Sequence, residues 1–143
     1  MTDHKYTVEF RISGKTLDPQ EVTKKLLLPP CVVRIPAPEG TPLRESRTGM
    51  WGYDGTDGSE IVEWNTLEEG LSFVLDRLWP LRDLVAEYRA NCNVVWWCGH
   101  FQAGLNGGPL LSPALLKRLG EFGVDLYIDN YFSPPANAEA PEP

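Results

Sequence analysis

The chain has 143 residues, 42% of them hydrophobic and 23% charged, which is the length and make-up of one globular domain that needs no metal or disulfide staple to fold. A net charge of −7 excludes the basic stripe that nucleic acid demands and opposes binding to anionic membrane surfaces, while it suits a basic protein partner. No apolar run approaches the ~20 residues of a membrane span, and MTDHKYTVEF lacks the form of a signal peptide, so the cytoplasm is the expected compartment.

Tyr6, Val8, Phe10 and Ile12 alternate with Thr7, Glu9, Arg11 and Ser13, the period of a half-buried strand. Gly14-Lys15 turns the chain. Asp18-Pro19-Gln20-Glu21 then supplies an N-cap, a first-turn proline and an acid for a helix carrying Val22, Leu26 and Leu27, which must stop before Pro29-Pro30. Cys31–Ile35 reads as a short edge strand and PAPEGTP as loop. Thr48–Tyr53 is the next strand, closed by the turn Asp54-Gly55-Thr56-Asp57-Gly58, with Ser59–Trp64 a candidate hairpin partner.

Thr66-Leu67-Glu68-Glu69 opens the longest helix, whose stripe is Leu67, Leu71, Val74, Leu75 and Leu78. Pro80 kinks it, and Leu81, Leu84, Val85 and Tyr88 resume the pattern. Asn93–Phe101 is apolar on both faces, as a central strand is. A glycine-rich loop follows, and Ser112-Pro113 starts a helix with Leu115, Leu116, Leu119 and Phe122 that Gly123 ends. Val124–Phe132 alternates again, with Val124, Leu126, Ile128 and Phe132 opposite Asp125, Tyr127, Asp129 and Tyr131. Residues 133–143 form a Pro/Ala-rich tail expected to be disordered.

This order predicts one α+β domain over residues 1–132: two layers, a mixed sheet of four or five strands and about three helices on one face. The last strand–helix–strand unit should be a right-handed crossover with parallel strands. The opposite sheet face is then open to solvent or to a partner.

The order and spacing of Phe10–Pro30, Gly49–Trp51, Leu67–Pro80 and Leu111–Tyr131 resemble a bacterial family of small proteins catalogued as domain of unknown function 4279. Two departures from its pattern stand out: Leu27, where a glycine is expected, and the proline-rich PPCVVRIPAPEG, where the family is more polar. The resemblance carries over no catalytic residues. Some members look like immunity proteins of bacterial toxin systems, which implies a role in contact.

Constellations that suggest chemistry fail on spacing. Cys92, Cys98 and His100 would share a strand face, but the two cysteines would lie about 20 Å apart at ~3.3 Å per residue, so no metal is expected. Cys31 and His4 are the other soft ligands, and nothing in their context brings them near. An odd number of cysteines also argues against a disulfide framework. Cys98 and His100 make a strained nucleophile–base pair with no third orienting group. The loop GLNGGP lacks the lysine and hydroxyl of a phosphate loop, and Asp54 with Asp57 lacks calcium-loop spacing. No cofactor is expected.

What survives is a surface. Glu9, Arg11, Asp125, Tyr127, Asp129 and Tyr131 should share the open sheet face, joined by one of Trp96 and Trp97, and aromatics beside carboxylates suit recognition of a basic protein. Read singly, each tyrosine is an ordinary cross-strand aromatic. The expected function is therefore non-enzymatic protein binding, with an immunity role the family's hint. The alternative is a small-molecule or hydrolytic site at the loop 99–109, using Trp51, Trp96, His100 and Asn106.

Overall fold

The alternation that begins at Tyr6 becomes an 11-residue strand, β1 (His4–Gly14), in the computed structural model, which describes residues 4–42 and 47–132. Every second residue from Tyr6 to Ile12 is buried, and those between are half-exposed. In chain order there follow α1 (Pro19–Leu26), β2 (Val32–Arg34), β3 (Gly49–Tyr53), α2 (Leu67–Leu78), α3 (Arg82–Asn91), β4 (Asn93–Gln102), α4 (Pro113–Phe122) and β5 (Asp125–Phe132). The described strands form one mixed sheet in the order β2-β3-β1-β4-β5. The β4–β5 pair is parallel, as its helical connection requires, and the rest are antiparallel.

The helices take the side to which Tyr6, Val8, Phe10 and Ile12 point. Val22, Leu71, Val74, Leu75, Leu78 and Val85 are fully buried there against Trp51 and Trp96. Caps start three of the helices. Asp18 accepts from the Gln20 amide at 3.0 Å, Thr66 from Glu69 at 3.2 Å and Ser112 from Leu115 at 3.2 Å. Pro80 interrupts the long helical run with a turn of 3-10 helix at Trp79–Leu81, which separates α2 from α3.

Trp96 is fully buried, yet its indole N–H has no hydrogen-bond acceptor among the described residues. The ring prevails because burying ~150–250 Å² of aromatic surface stabilises by roughly 4–6 kcal/mol, against about 1–3 kcal/mol for the orphaned donor.

Three details differ from the sequence reading. Ser59–Trp64 is not a hairpin partner of β3, because both edges of β3 are already occupied by β1 and β2. Only Trp64 joins the sheet, through an isolated bridge to Tyr6. Leu27 leaves the buried stripe of α1 and is 83% exposed. Phe132, at the end of β5, is exposed as well, since the sheet runs past the helices there. The proposed tail, 133–143, lies outside the described residues.

Leu27 closes α1 in the left-handed region, φ 58°, while its amide binds the Thr23 carbonyl at 2.8 Å. This is the position where glycine was expected, and the conformation gives the reason. A branched side chain there costs about 1–2 kcal/mol, partly offset by the roughly 0.5–1 kcal/mol that glycine adds to the entropy of the unfolded chain. Leu27→Gly is therefore expected to stabilise the protein by about 0.5–1 kcal/mol, read as a higher urea midpoint with an unchanged slope.

Candidate functional site

On the face away from the helices, register sets side chains from β1, β4 and β5 in rows. They run Arg11–Val95–Asp125, Glu9–Trp97–Tyr127, Thr7–Gly99–Asp129 and Lys5–Phe101–Tyr131. All six residues expected on this surface, Glu9, Arg11, Asp125, Tyr127, Asp129 and Tyr131, thus lie on one face. Parity also settles the tryptophan pair: Trp96 is buried under the helices, and Trp97 is half-buried on the open side.

The groups on this face brace one another. Arg11 Nε lies 2.5 Å from Glu9 Oε1, and its guanidinium sits 4.5 Å over the Trp97 ring. Trp97 packs on Tyr127 at 4.6 Å between centroids, and Phe101 stacks on Tyr131 at 4.8 Å. The Tyr131 hydroxyl donates to Asp129 Oδ2, which stabilises the neutral phenol and pushes its pKa up.

Beside these rows the surface is concave. β3 leaves β1 at Tyr53, opposite Phe10, and the chain rejoins β1 only at Trp64, opposite Tyr6. The intervening segment loops out and walls a cavity of about 330 Å³. It is lined by Thr7 and Gly99 of the sheet, by the rings of Phe101 and Tyr131, and by Asp54 and Glu60 of the looped segment. Gly99 lets its neighbours lie close over the strand here: a Cβ on it would sit 2.5 Å from Thr7 Oγ1 and 2.9 Å from the Phe101 ring. Asp54 is fixed as a turn residue, accepting from the Thr56 amide at 2.8 Å and from its hydroxyl at 2.6 Å.

The residues of the alternative site are not brought to one place. Trp51 faces the core opposite Ile12, six residues along β1 from the Tyr6–His100 pair, a span of ~20 Å. Trp96 is core, and Asn106 contributes a backbone carbonyl. His100 is buried and joins a chain that the sequence did not reveal: Asn106 O, His4, His100 and Asn130 connect through contacts of 2.8, 2.8 and 2.9 Å. The carbonyl requires His4 Nε2 to donate, and Asn130 Oδ1 requires His100 Nδ1 to donate. Two neutral rings so placed would oppose lone pairs. The chain closes when one ring carries a second proton, or when the Asn130 amide turns to donate. It ties β1, β4, β5 and the glycine-rich loop together.

Burial disfavours the thiolate of both thiols in view. Burial pushes Cys98 up to about 12; burial first, then the nearby Glu9 and Asp54 carboxylates, push Cys31 up to about 12. Cys98 is fully buried, with His100 two residues along the same strand. Among the described residues no group of three or more His, Cys, Asp or Glu is placed to hold a metal. No helix among them is long and apolar enough to cross a membrane.

Residues 4–133 match the family described as Domain of unknown function (DUF4279), and the chain belongs to that family. No curated protein and no solved structure matches it.

Two outcomes follow from this geometry. Asn130→Leu strips His100 Nδ1 of its partner and should destabilise the fold by about 1–3 kcal/mol in urea unfolding. At pH 8 a thiol at about 12 is about one part in ten thousand thiolate, so iodoacetamide should modify Cys31 and Cys98 far more slowly than a model thiol. Because the folded values are raised, their contribution to stability is complete below the ordinary thiol value of 9.0. It is lost as pH rises toward about 12, which alkaline unfolding curves would register.

Proposed function

We propose that this member of the DUF4279 family is a non-enzymatic protein-binding domain that engages a basic partner through the face bearing Glu9, Arg11, Asp125, Tyr127, Asp129 and Tyr131. The observation that carries the reading is the pairing of exposed aromatics with carboxylates on a face no element of the described chain covers. Tyr127 is 47% and Tyr131 41% exposed, each beside Asp129 on its own strand. Rigid amphipathic rings supply contact area at low entropic cost, while carboxylates reject anionic partners and steer cationic ones. An overall charge of −7 works in the same direction. An immunity role against a basic toxin domain in the bacterial cytoplasm is the specific form of this reading, suggested by the family resemblance.

Arg11 on this face is ion-paired with Glu9, while Lys5 keeps its charge, its Nζ lying 2.5 Å from the neutral Asn65 Oδ1. Asp125 and Asp129 stand against Lys5, so the rows of β1, β4 and β5 keep an excess of acid. Enzymatic readings have less support, because burial holds the Cys98 thiol, two residues from His100 on β4, in its protonated form.

A photo-crosslinking residue at Tyr127, in protein returned to its native host, tests the reading. A discrete protein adduct should form there and not from Leu116 on the helical side. It should be lost on Asp129→Lys and fade as salt rises toward about 0.5 M. Identical adducts from both positions, or an adduct indifferent to Asp129→Lys, would count against this face.

A further inference from the structure

We infer that the cavity beside Gly99 is a socket for one arginine side chain of the partner protein; this rests on the reading of the face as a protein-binding surface. The chain itself displays how this surface holds a guanidinium. Arg11 lies with its Nε against the Glu9 carboxylate and its plane over Trp97, at 2.5 Å and 4.5 Å. A second set of similar parts borders the cavity, where the one lining cation among the described residues, Arg11, is already paired with Glu9. Phe101 and Tyr131, stacked on each other, line it together with the acids Asp54 and Glu60, and of the Asp54 carboxylate one oxygen is taken by Thr56.

The cavity has the dimensions for such a guest. About 330 Å³ lies at the small end of ligand pockets, enough for one long side chain and too little for a folded segment. Four charged residues line it, the acids Glu9, Asp54 and Glu60 and the base Arg11, and the Glu9–Arg11 pair cancels to leave two acids in excess. The thiol of Cys31, in the same lining, feels this field, since Glu9 and Asp54 both oppose its ionisation. Arginine fits better than lysine, because a planar guanidinium stacks on rings and presents a fork of donors to carboxylates. An anionic guest would meet uncompensated carboxylates, and an apolar one would strip water from them without return.

The test uses the blocked peptide acetyl-Gly-Gly-Arg-Gly-Gly-amide and its citrulline counterpart, neutral and nearly isosteric, titrated into the 15N-labelled full chain. The arginine peptide should shift the Gly58 and Gly99 amide resonances saturably and leave Gly120, on α4, in place. The citrulline peptide should bind at least about tenfold more weakly, the loss expected for a charge-assisted contact. Glu60→Lys should weaken binding about tenfold, and Tyr131→Leu about two- to fivefold. Glu87→Lys, the same charge change on the helical side, should alter it by less than about twofold. Glu60 and Glu87 are both exposed, so neither change threatens the fold.

Equal binding of citrulline and arginine, shifts spread away from Gly58 and Gly99, or equal effects of Glu60→Lys and Glu87→Lys would each overturn the socket. If the socket fails while the Tyr127 adduct persists, the face stands as a binding surface without it. If both fail, the reading of the face fails too.

Discussion

Phe10 sits at the crossing point of this molecule, edge-on to Trp51, Trp96 and Phe122 at centroid separations of 6.5, 5.3 and 6.0 Å. Those rings come from β3, β4 and α4, so one side chain on the central strand joins its two neighbours in the sheet to the helical layer. The geometry is the edge-to-face contact that ring quadrupoles favour, and all four rings are buried. Because side chains on a strand alternate, fixing Phe10 inward also fixes Glu9 and Arg11 outward. A slip of one residue would exchange the two faces at once, and the aromatic lock forbids it. The make-up of the open face is thus a by-product of core packing.

The concavity has an equally plain origin. β1 is longer than β3, so the edge they share is paired only from Phe10 to Gly14. Trp64 returns to the same edge at Tyr6, exchanging two backbone hydrogen bonds of 2.9 and 2.7 Å. Between those anchors the chain has no ladder to occupy and must leave the plane. The turn Asp54–Gly58, stiffened by the Asp54 and Asp57 side chains, directs it. A wall results beside the sheet at Gly99.

Much of this was legible in the residues because their signals were local. Asp18, Thr66 and Ser112 announced their helices through cap chemistry, and the alternation at 6–13 and 124–132 gave strand faces directly. Pairing was not legible. Ser59–Trp64 has strand-like composition, and only the sheet order tells that β3 had no edge left to offer it. For β4, apolar on both sides, sequence could not say whether Trp96 or Trp97 faced the helices; the register against Phe10 decides it. His4 gave no hint of His100, since they are 96 residues apart and meet only because β1 and β4 run antiparallel. The cavity was invisible for the same reason: Glu60 and Phe101 carry no mutual signal along the chain.

The two margins of the sheet are unlike. β2 has three residues between Pro30 and Pro36, whereas β5 has eight, followed in the sequence by Pro134 and Pro135. A three-residue strand offers a neighbour few backbone groups, and an eight-residue one offers more. Head-to-tail stacking of copies would need both margins, so the short one disfavours its propagation. Pairing through the longer margin would set two β5 strands about a two-fold axis, which closes on itself. Asp125 and Asp129, carried on that strand, set like charges near each other even then. An exposed strand that would be a fibre hazard in a symmetric sheet is here steered toward a finite, electrostatically discouraged pair.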